Sequence, residues 1–252
     1  MTRKDPDIPY TLAAPSFVWP ERVGENCRRL KGMVDEVALL FFQTRASLEY
    51  DQQDLPPDLT DLGLTYHLHL PLDLPWESGP EEVHRLTRAL KAKTQYLSPH
   101  GYVLHPPEDA GSLQEFLRLW SLRSDPARLF LENIRENDLA SHWQLVQRYG
   151  CKVCLDLGHL LEHGQERLLE LPGLWSHTRM LHAYSPAPGG GHTSLARLDE
   201  HGLSILQNAL QNMHSDTVVV LEVFDPEDLH ESLDIFRSWF RSGKLAPGTG
   251  SG

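Results

Sequence analysis

Six short apolar runs in this chain each close on a side chain able to hold a metal ion: Tyr66-His-Leu-His69, Tyr102-Val-Leu-His105, Leu129-Phe-Leu-Glu132, Val153-Cys-Leu-Asp156, Arg179-Met-Leu-His182 and Val219-Val-Leu-Glu222. A β-strand that ends in a polar ligand places it at the carboxyl edge of its sheet, and a closed α/β barrel gathers every such edge at one mouth. The pattern therefore predicts a metal-dependent enzyme built on such a scaffold.

Strand-like runs fall at 11–13, 37–42, 64–70, 102–105, 129–132, 153–156, 179–182 and 218–222. Between them, apolar residues recur three and four apart at 23–33, 81–96, 112–120, 139–149, a short 165–170, 203–213 and 228–241, the period of an amphipathic helix. The second crossover, 51–61, is rich in Asp, Gln and Pro and has the weakest helical pattern. Strands alternating with helices imply parallel pairing, and eight repeats imply closure into one (β/α)8 barrel. The expected layout is an extension over 1–9, a barrel domain over 10–243 and a Gly-rich tail over 244–252. Turn residues at 71–80, 106–111 and 186–191 mark loops at the mouth, the last with three consecutive glycines.

The formal charge of −12 would repel a polyanion, so nucleic acid is disfavoured as a substrate. No apolar run approaches the length of a membrane span, which predicts a cytoplasmic protein without a membrane partner. Three cysteines argue against a disulfide framework. Cys151 and Cys154 form a C-x-x-C inside a strand-like run, where a period of two points them to opposite faces, a structural reading.

Glu132, Asp156, His182 and Glu222 end four strands and offer the mixed oxygen and nitrogen donors of a divalent-metal site. With the motifs Leu-Glu132-Asn133, Leu-Asp156-Leu-Gly-His159, Leu-His182-Ala and Val-Leu-Glu222, the chain resembles the xylose-isomerase-like barrels, the superfamily that contains the endonuclease IV enzymes. The resemblance implies that one ion is held by His69, His105 and a bridging Glu132, and a second by Glu132, Asp156, His182 and Glu222. A third would use His159, on the loop after Asp156, and His192, with an aspartate two residues before it; that position is Gly190. His67 competes with His69, and His69 is preferred because it stands nearer the strand end. His163 is left open.

The segments Pro15-Ser-Phe-Val-Trp-Pro20, Val34-Asp-Glu-Val-Ala-Leu-Leu-Phe41, His69-Leu-Pro-Leu-Asp73 and Gly191-His192-Thr-Ser-Leu195 are similar to those of the cobamide-remodelling phosphodiesterases, a subgroup of the same superfamily. That likeness implies cleavage of the nucleotide loop of a cobamide at its phosphoribosyl linkage, releasing an α-riboside and a cobinamide phosphate. The glutamate expected after the second strand is Gln43 here, which puts an acid/base role there in doubt.

Two or three divalent ions suit phosphodiester hydrolysis, with Glu132, Glu222, His159 and His192 as the catalytic set. Zinc leads, and Mn, Fe or Co also suit these donors. The alternative is a one-ion isomerase or epimerase acting on a sugar or sugar phosphate, in which His69 and His105 would be idle. An endonuclease and a non-catalytic barrel that binds a small molecule rank below both. Trp19, Trp76 and Tyr184 follow strands and either contact substrate or seal loop to barrel.

Overall fold

A computed structural model describes residues 8–246. Most of the proposed extension, and the tail from 247 onward, lie outside the described residues. Eight parallel strands close into a barrel: β1 (Thr11–Pro15), β2 (Glu36–Leu40), β3 (Thr65–His69), β4 (Tyr102–Leu104), β5 (Leu129–Glu132), β6 (Lys152–Asp156), β7 (Thr178–Ala183) and β10 (Val218–Leu221), with β10 pairing back onto β1. A two-stranded antiparallel hairpin, β8 (Ser185–Ala187) with β9 (Gly191–Thr193), projects after β7. The helices are α1 (Val23–Leu30), α2 (Thr44–Glu49), α3 (Pro80–Thr94), α4 (Ala110–Ser121), α5 (Trp143–Tyr149), α6 (Leu157–His163), α7 (Leu174–His177), α8 (Glu200–Asn212) and α9 (Pro226–Arg241). No helix among the described residues is long and apolar enough to cross a membrane.

Each barrel strand buries both faces, and its two parities go to different places. Leu129, Leu131, Val153, Leu155, Leu181, Val219 and Leu221 face the helices, in one core with Phe116, Trp120, Leu206 and Phe236. Phe130, Cys154, Met180, Val218 and Val220 fill the barrel interior with Ala13, Ala38 and Val103. Since side chains alternate along a strand, the inward parity continues to Glu132, Asp156, His182 and Glu222. The polar strand ends are thus delivered to the mouth by the same alternation that fills the barrel. Cys151 belongs to the outer core and Cys154 to the inner one, and all three cysteines are buried and free.

At the opposite, N-terminal end of the barrel, Glu36 is buried and accepts from His67 Nδ1 at 2.6 Å and His100 Nε2 at 2.7 Å. Burial opposes its charge, but the hydrogen bonds and charges of His100 and His67 prevail and hold its carboxyl well below the usual range. This explains why His67 does not compete for the mouth: it is held one layer below His69 on the same face of β3.

Several elements depart from the expectations. The 51–61 segment is not an α-helix; a helix forms earlier, in α2, and a 3-10 turn covers Pro57–Leu62. Asp73 Oδ1 takes the Thr44 backbone N–H at 2.6 Å and its hydroxyl at 2.8 Å, so the start of α2 is secured by a loop 29 residues away. The 165–170 segment is a 3-10 helix over Glu166–Glu170. His159 is on α6 rather than a loop, because Asp156 doubles as the cap of that helix and its Oδ1 accepts from the His159 backbone N–H at 2.6 Å. His192 lies on β9.

Candidate metal centre

The strand register sets the site. Asp156 pairs laterally with His182, and His182 with Val220, two residues short of Glu222, so these ligands reach similar heights on adjacent strands. Asn133 locks β5 to β6: its Oδ1 accepts from the Asp156 backbone N–H at 2.7 Å and its Nδ2 donates to the Asp156 carbonyl at 2.9 Å. That gives the Glu132-Asn133 motif a positioning role for the neighbouring ligand.

Glu132 stands at the centre. Its Oε2 lies 3.1 Å from His69 Nε2 and 3.2 Å from His105 Nε2, while its Oε1 lies 3.2 Å from His182 Nδ1. His182 Nδ1 is also 3.5 Å from Asp156 Oδ2 and 3.2 Å from Glu222 Oε2. Four of these residues, Glu132, Asp156, His182 and Glu222, are buried and can each offer a ligand atom within 4.8 Å of the others.

Three observations fit a cation here. Asp156 Oδ2 and both ring nitrogens of His182 are buried without a hydrogen-bond partner, a costly state unless something fills the space between them. His69 donates from Nδ1 to the Leu70 carbonyl at 2.9 Å, so in a neutral ring the lone pair at Nε2 faces the Glu132 carboxylate, an arrangement that needs a proton or a metal between the two. The nitrogen-to-oxygen separations of 3.1–3.5 Å in this cluster are those of ligands sharing one ion at about 2.0–2.2 Å. The Glu36–His67 pair, at 2.6 Å, is a direct hydrogen bond instead.

The same crowding sets the protonation. Burial disfavours charge on His182 and His105, but Glu222 and Glu132 around His182, and Glu132 beside His105, raise both imidazoles above their ordinary value. Burial would raise Glu132 and Glu222 too, but the His182 charge lowers both, Glu222 to about 2. Asp156 goes up, by burial and then by its carboxylate neighbours. In the metal-free cluster, imidazolium protons thus supply the positive charge. A raised pKa keeps those protons bound past pH 6.5, the ordinary imidazole value, where they compete with a metal ion. Zinc affinity is accordingly expected to keep rising with pH through and above that value, with proton release on binding. Calorimetry in buffers of different ionisation enthalpy checks it; uptake without proton release would contradict these protonation states.

Beside the cluster, His192 donates from Nδ1 to the Glu222 carbonyl at 2.8 Å. Its ring lies flat on Tyr184, centroids 3.7 Å apart and planes 8° apart. Tyr184 is fully buried, and burial followed by the charges of Asp156, Glu222 and Glu132 pushes its hydroxyl far above 10. It supports His192 rather than presenting a free face. Gly158 makes this possible, since a Cβ there would stand 2.0 Å from the Tyr184 ring. Gly158→Ala is expected to cost about 3 kcal/mol or more by overpacking, measured by denaturant unfolding; a cost below about 1 kcal/mol would mean that Tyr184 moves freely.

Trp19 and Trp76 are held by packing: Trp19 under Arg29 at 5.4 Å, and Trp76 edge-on to Phe116 at 5.4 Å. Gln43 is exposed at the head of α2. Sequence reasoning passed over another aromatic set. From His192, Phe224 follows at 4.9 Å, Phe42 at 5.7 Å from Phe224, and Phe17 at 4.7 Å from Phe42. Phe17 and Phe42 stand two residues beyond the ends of β1 and β2, and Phe224 three beyond the end of β10, so aromatic residues just past strand ends are the signal that could have found them.

A closed parallel eight-stranded barrel with these connections is the xylose-isomerase-like (β/α)8 fold. No family model and no curated protein matches the sequence. Among solved structures, a D-tagatose 3-epimerase-like protein aligns with a TM-score of 0.69 at 18% identity, over 94% of this chain and all of that one. D-allulose 3-epimerase from Methylomonas sp., in complex with D-allulose, aligns at 0.61 and 13% identity, over 94% of this chain and 93% of that one. A xylose isomerase domain containing protein from Salmonella typhimurium aligns at 0.58 and 14% identity, over 90% of this chain and 95% of that one. At these identities the likeness concerns the fold, which hosts many chemistries.

Proposed function

We propose that this protein is a metal-dependent phosphodiesterase acting on the nucleotide loop of cobamides. The observation that carries the reading is the division of labour at Glu132: His69 and His105 meet one carboxylate oxygen, and His182, with Asp156 and Glu222 around it, meets the other. A carboxylate with a ligand set on each oxygen suits a pair of divalent ions, zinc by its donors. When bound, such a pair makes water nucleophilic at neutral pH and stabilises charge on the attacking and departing oxygens of a phosphodiester.

The protein's own residues do the rest. Glu132 and Glu222 fix the ligand geometry and supply negative charge that offsets the ions. His192, held flat by Tyr184 and tied through Nδ1 to the Glu222 carbonyl, has Nε2 free in a neutral ring to accept a proton from an attacking water. The Phe17–Phe42–Phe224 row offers a wall of aromatic edges and faces to a planar part of the substrate, such as the base or ring system of a cobamide.

The test is mass-spectrometric analysis of coenzyme B12 incubated with zinc-loaded protein. Metal-dependent appearance of α-ribazole and cobinamide phosphate is the expected result; no cleavage by protein with an occupied metal centre would sink the reading. The second reading, a sugar or sugar-phosphate isomerase or epimerase working through one ion at Glu132, Asp156, His182 and Glu222, is favoured by the epimerases among the similar structures. Turnover of a ketose panel by the same preparation would establish it instead.

A further inference from the structure

Helix α6 leaves β6 directly and carries His159, Glu162 and His163 within its seven residues. His159 and His163 are four apart and therefore share a face, with rings stacked at 5.6 Å and 21°. With Glu162 between them, each of the three offers a ligand atom within 4.8 Å of the other two. His159 Nδ1 is buried and has no hydrogen-bond partner. Glu162 Oε2 stands 3.9 Å from His163 Nε2, too far for a hydrogen bond but within the span of two ligands on one ion. A solvated charged pair explains the last distance and not the orphaned nitrogen.

The neighbouring hairpin adds a second argument. Gly190 has φ of +86° at the turn between β8 and β9, a conformation in which an aspartate would be strained. The nearest atom to a Cβ built on Gly190 is Glu162 Oε1, at 4.0 Å. The carboxylate of α6 therefore comes up beside the space that a side chain at position 190 would occupy.

We propose that His159, Glu162 and His163 form a divalent-cation site of their own, with Glu162 supplying from α6 the carboxylate that Gly190 lacks. Two histidines at i and i+4 on one helix face with an oxygen donor beside them form a donor set that zinc takes readily. His192 stands next to it, its ring 6.4 Å from that of His159, and is the fourth donor or the group that shares a ligand with the ion. A cavity of about 310 Å³ lined by His163, with Arg135 and Arg167 offset by Glu136 and Asp138, adjoins the site and gives it access to solvent. The assignment deepens the phosphodiesterase reading, because an ion here would add positive charge beside His192, which is itself bonded to the Glu222 carbonyl.

The experiment counts ions rather than turnover. Untagged wild type, Glu162→Gln and His163→Ala are stripped with chelator, reloaded with zinc, desalted and measured by plasma mass spectrometry; cobalt-loaded samples are followed by visible absorption. Each variant is expected to hold one ion per chain fewer than wild type and to lose part of the cobalt spectrum. Glu162→Gln is close to isosteric and its side chain reaches solvent, so folding is not at issue. Equal ion counts and spectra in wild type and both variants overturn the site. No substrate enters this measurement, so a protein inert toward every diester yet one ion richer than its Glu162→Gln variant would support the site while removing the phosphodiesterase reading.

Discussion

Glu132→Gln is expected to lower turnover by about a thousandfold or more and to strip most of the metal from the mouth while leaving the barrel folded. Both carboxylate oxygens of Glu132 face imidazole nitrogens, Oε2 toward His69 and His105 and Oε1 toward His182, at 3.1–3.2 Å. Glutamine keeps the shape but replaces one oxygen with an N–H donor and removes the charge shared by the two ligand sets. Whichever way the amide turns, one set loses its acceptor. The fold has little stake in the change, since the walls around Glu132 are held by Asn133, by strand pairing and by the inner core. Zinc content, steady-state rates and a thermal melt on the same preparation check it; full activity with normal metal content would remove Glu132 from the centre of the site.

His105→Ala separates the two readings of the chemistry. His105 touches only the His69 side of Glu132, so its loss leaves the Asp156, His182 and Glu222 set intact. Diester hydrolysis through two ions should then fall by about a thousandfold, corresponding to several kcal/mol of lost charge stabilisation. One-ion isomerisation would stay within about threefold of wild type, under 1 kcal/mol. The position suits the experiment because His105 is partly exposed, with a fifth of its side chain reaching solvent, and truncation leaves no sealed cavity. Retained diester hydrolysis in this variant would eliminate the two-ion mechanism.

The candidate ligands are legible in the sequence because they close apolar runs. Glu132, Asp156, His182 and Glu222 each follow two or three residues that can only be buried strand, and a strand's alternation then places them without further information. His69 and His67 show where that reasoning stops. They share a face, and only the presence of Glu36 below distinguishes the histidine that is tied up from the one that stays available. The aromatic residues are less legible for a related reason: Trp19 and Trp76 follow strands as Phe17 and Phe42 do, but whether a loop turns a ring inward or back onto a helix depends on what packs beneath it.

Helix α6 is a similar case. Asp156 is at once a strand end, a candidate ligand and the cap that starts the next helix, and this last role converts an expected loop into the face carrying His159, Glu162 and His163. The barrel and its order of strands follow from local periodicity and burial, which act over a few residues, and the same alternation brings Glu132, Asp156, His182 and Glu222 to the mouth as candidate ligands. Which side chains meet is not legible at that range: the two oxygens of Glu132 between His105 and His182, Tyr184 under His192 in the space left by Gly158, and Glu162 beside Gly190. Those pairs lie far apart in the chain or turn on loop geometry, and closure of the barrel is the step that brings them within a few ångströms of one another.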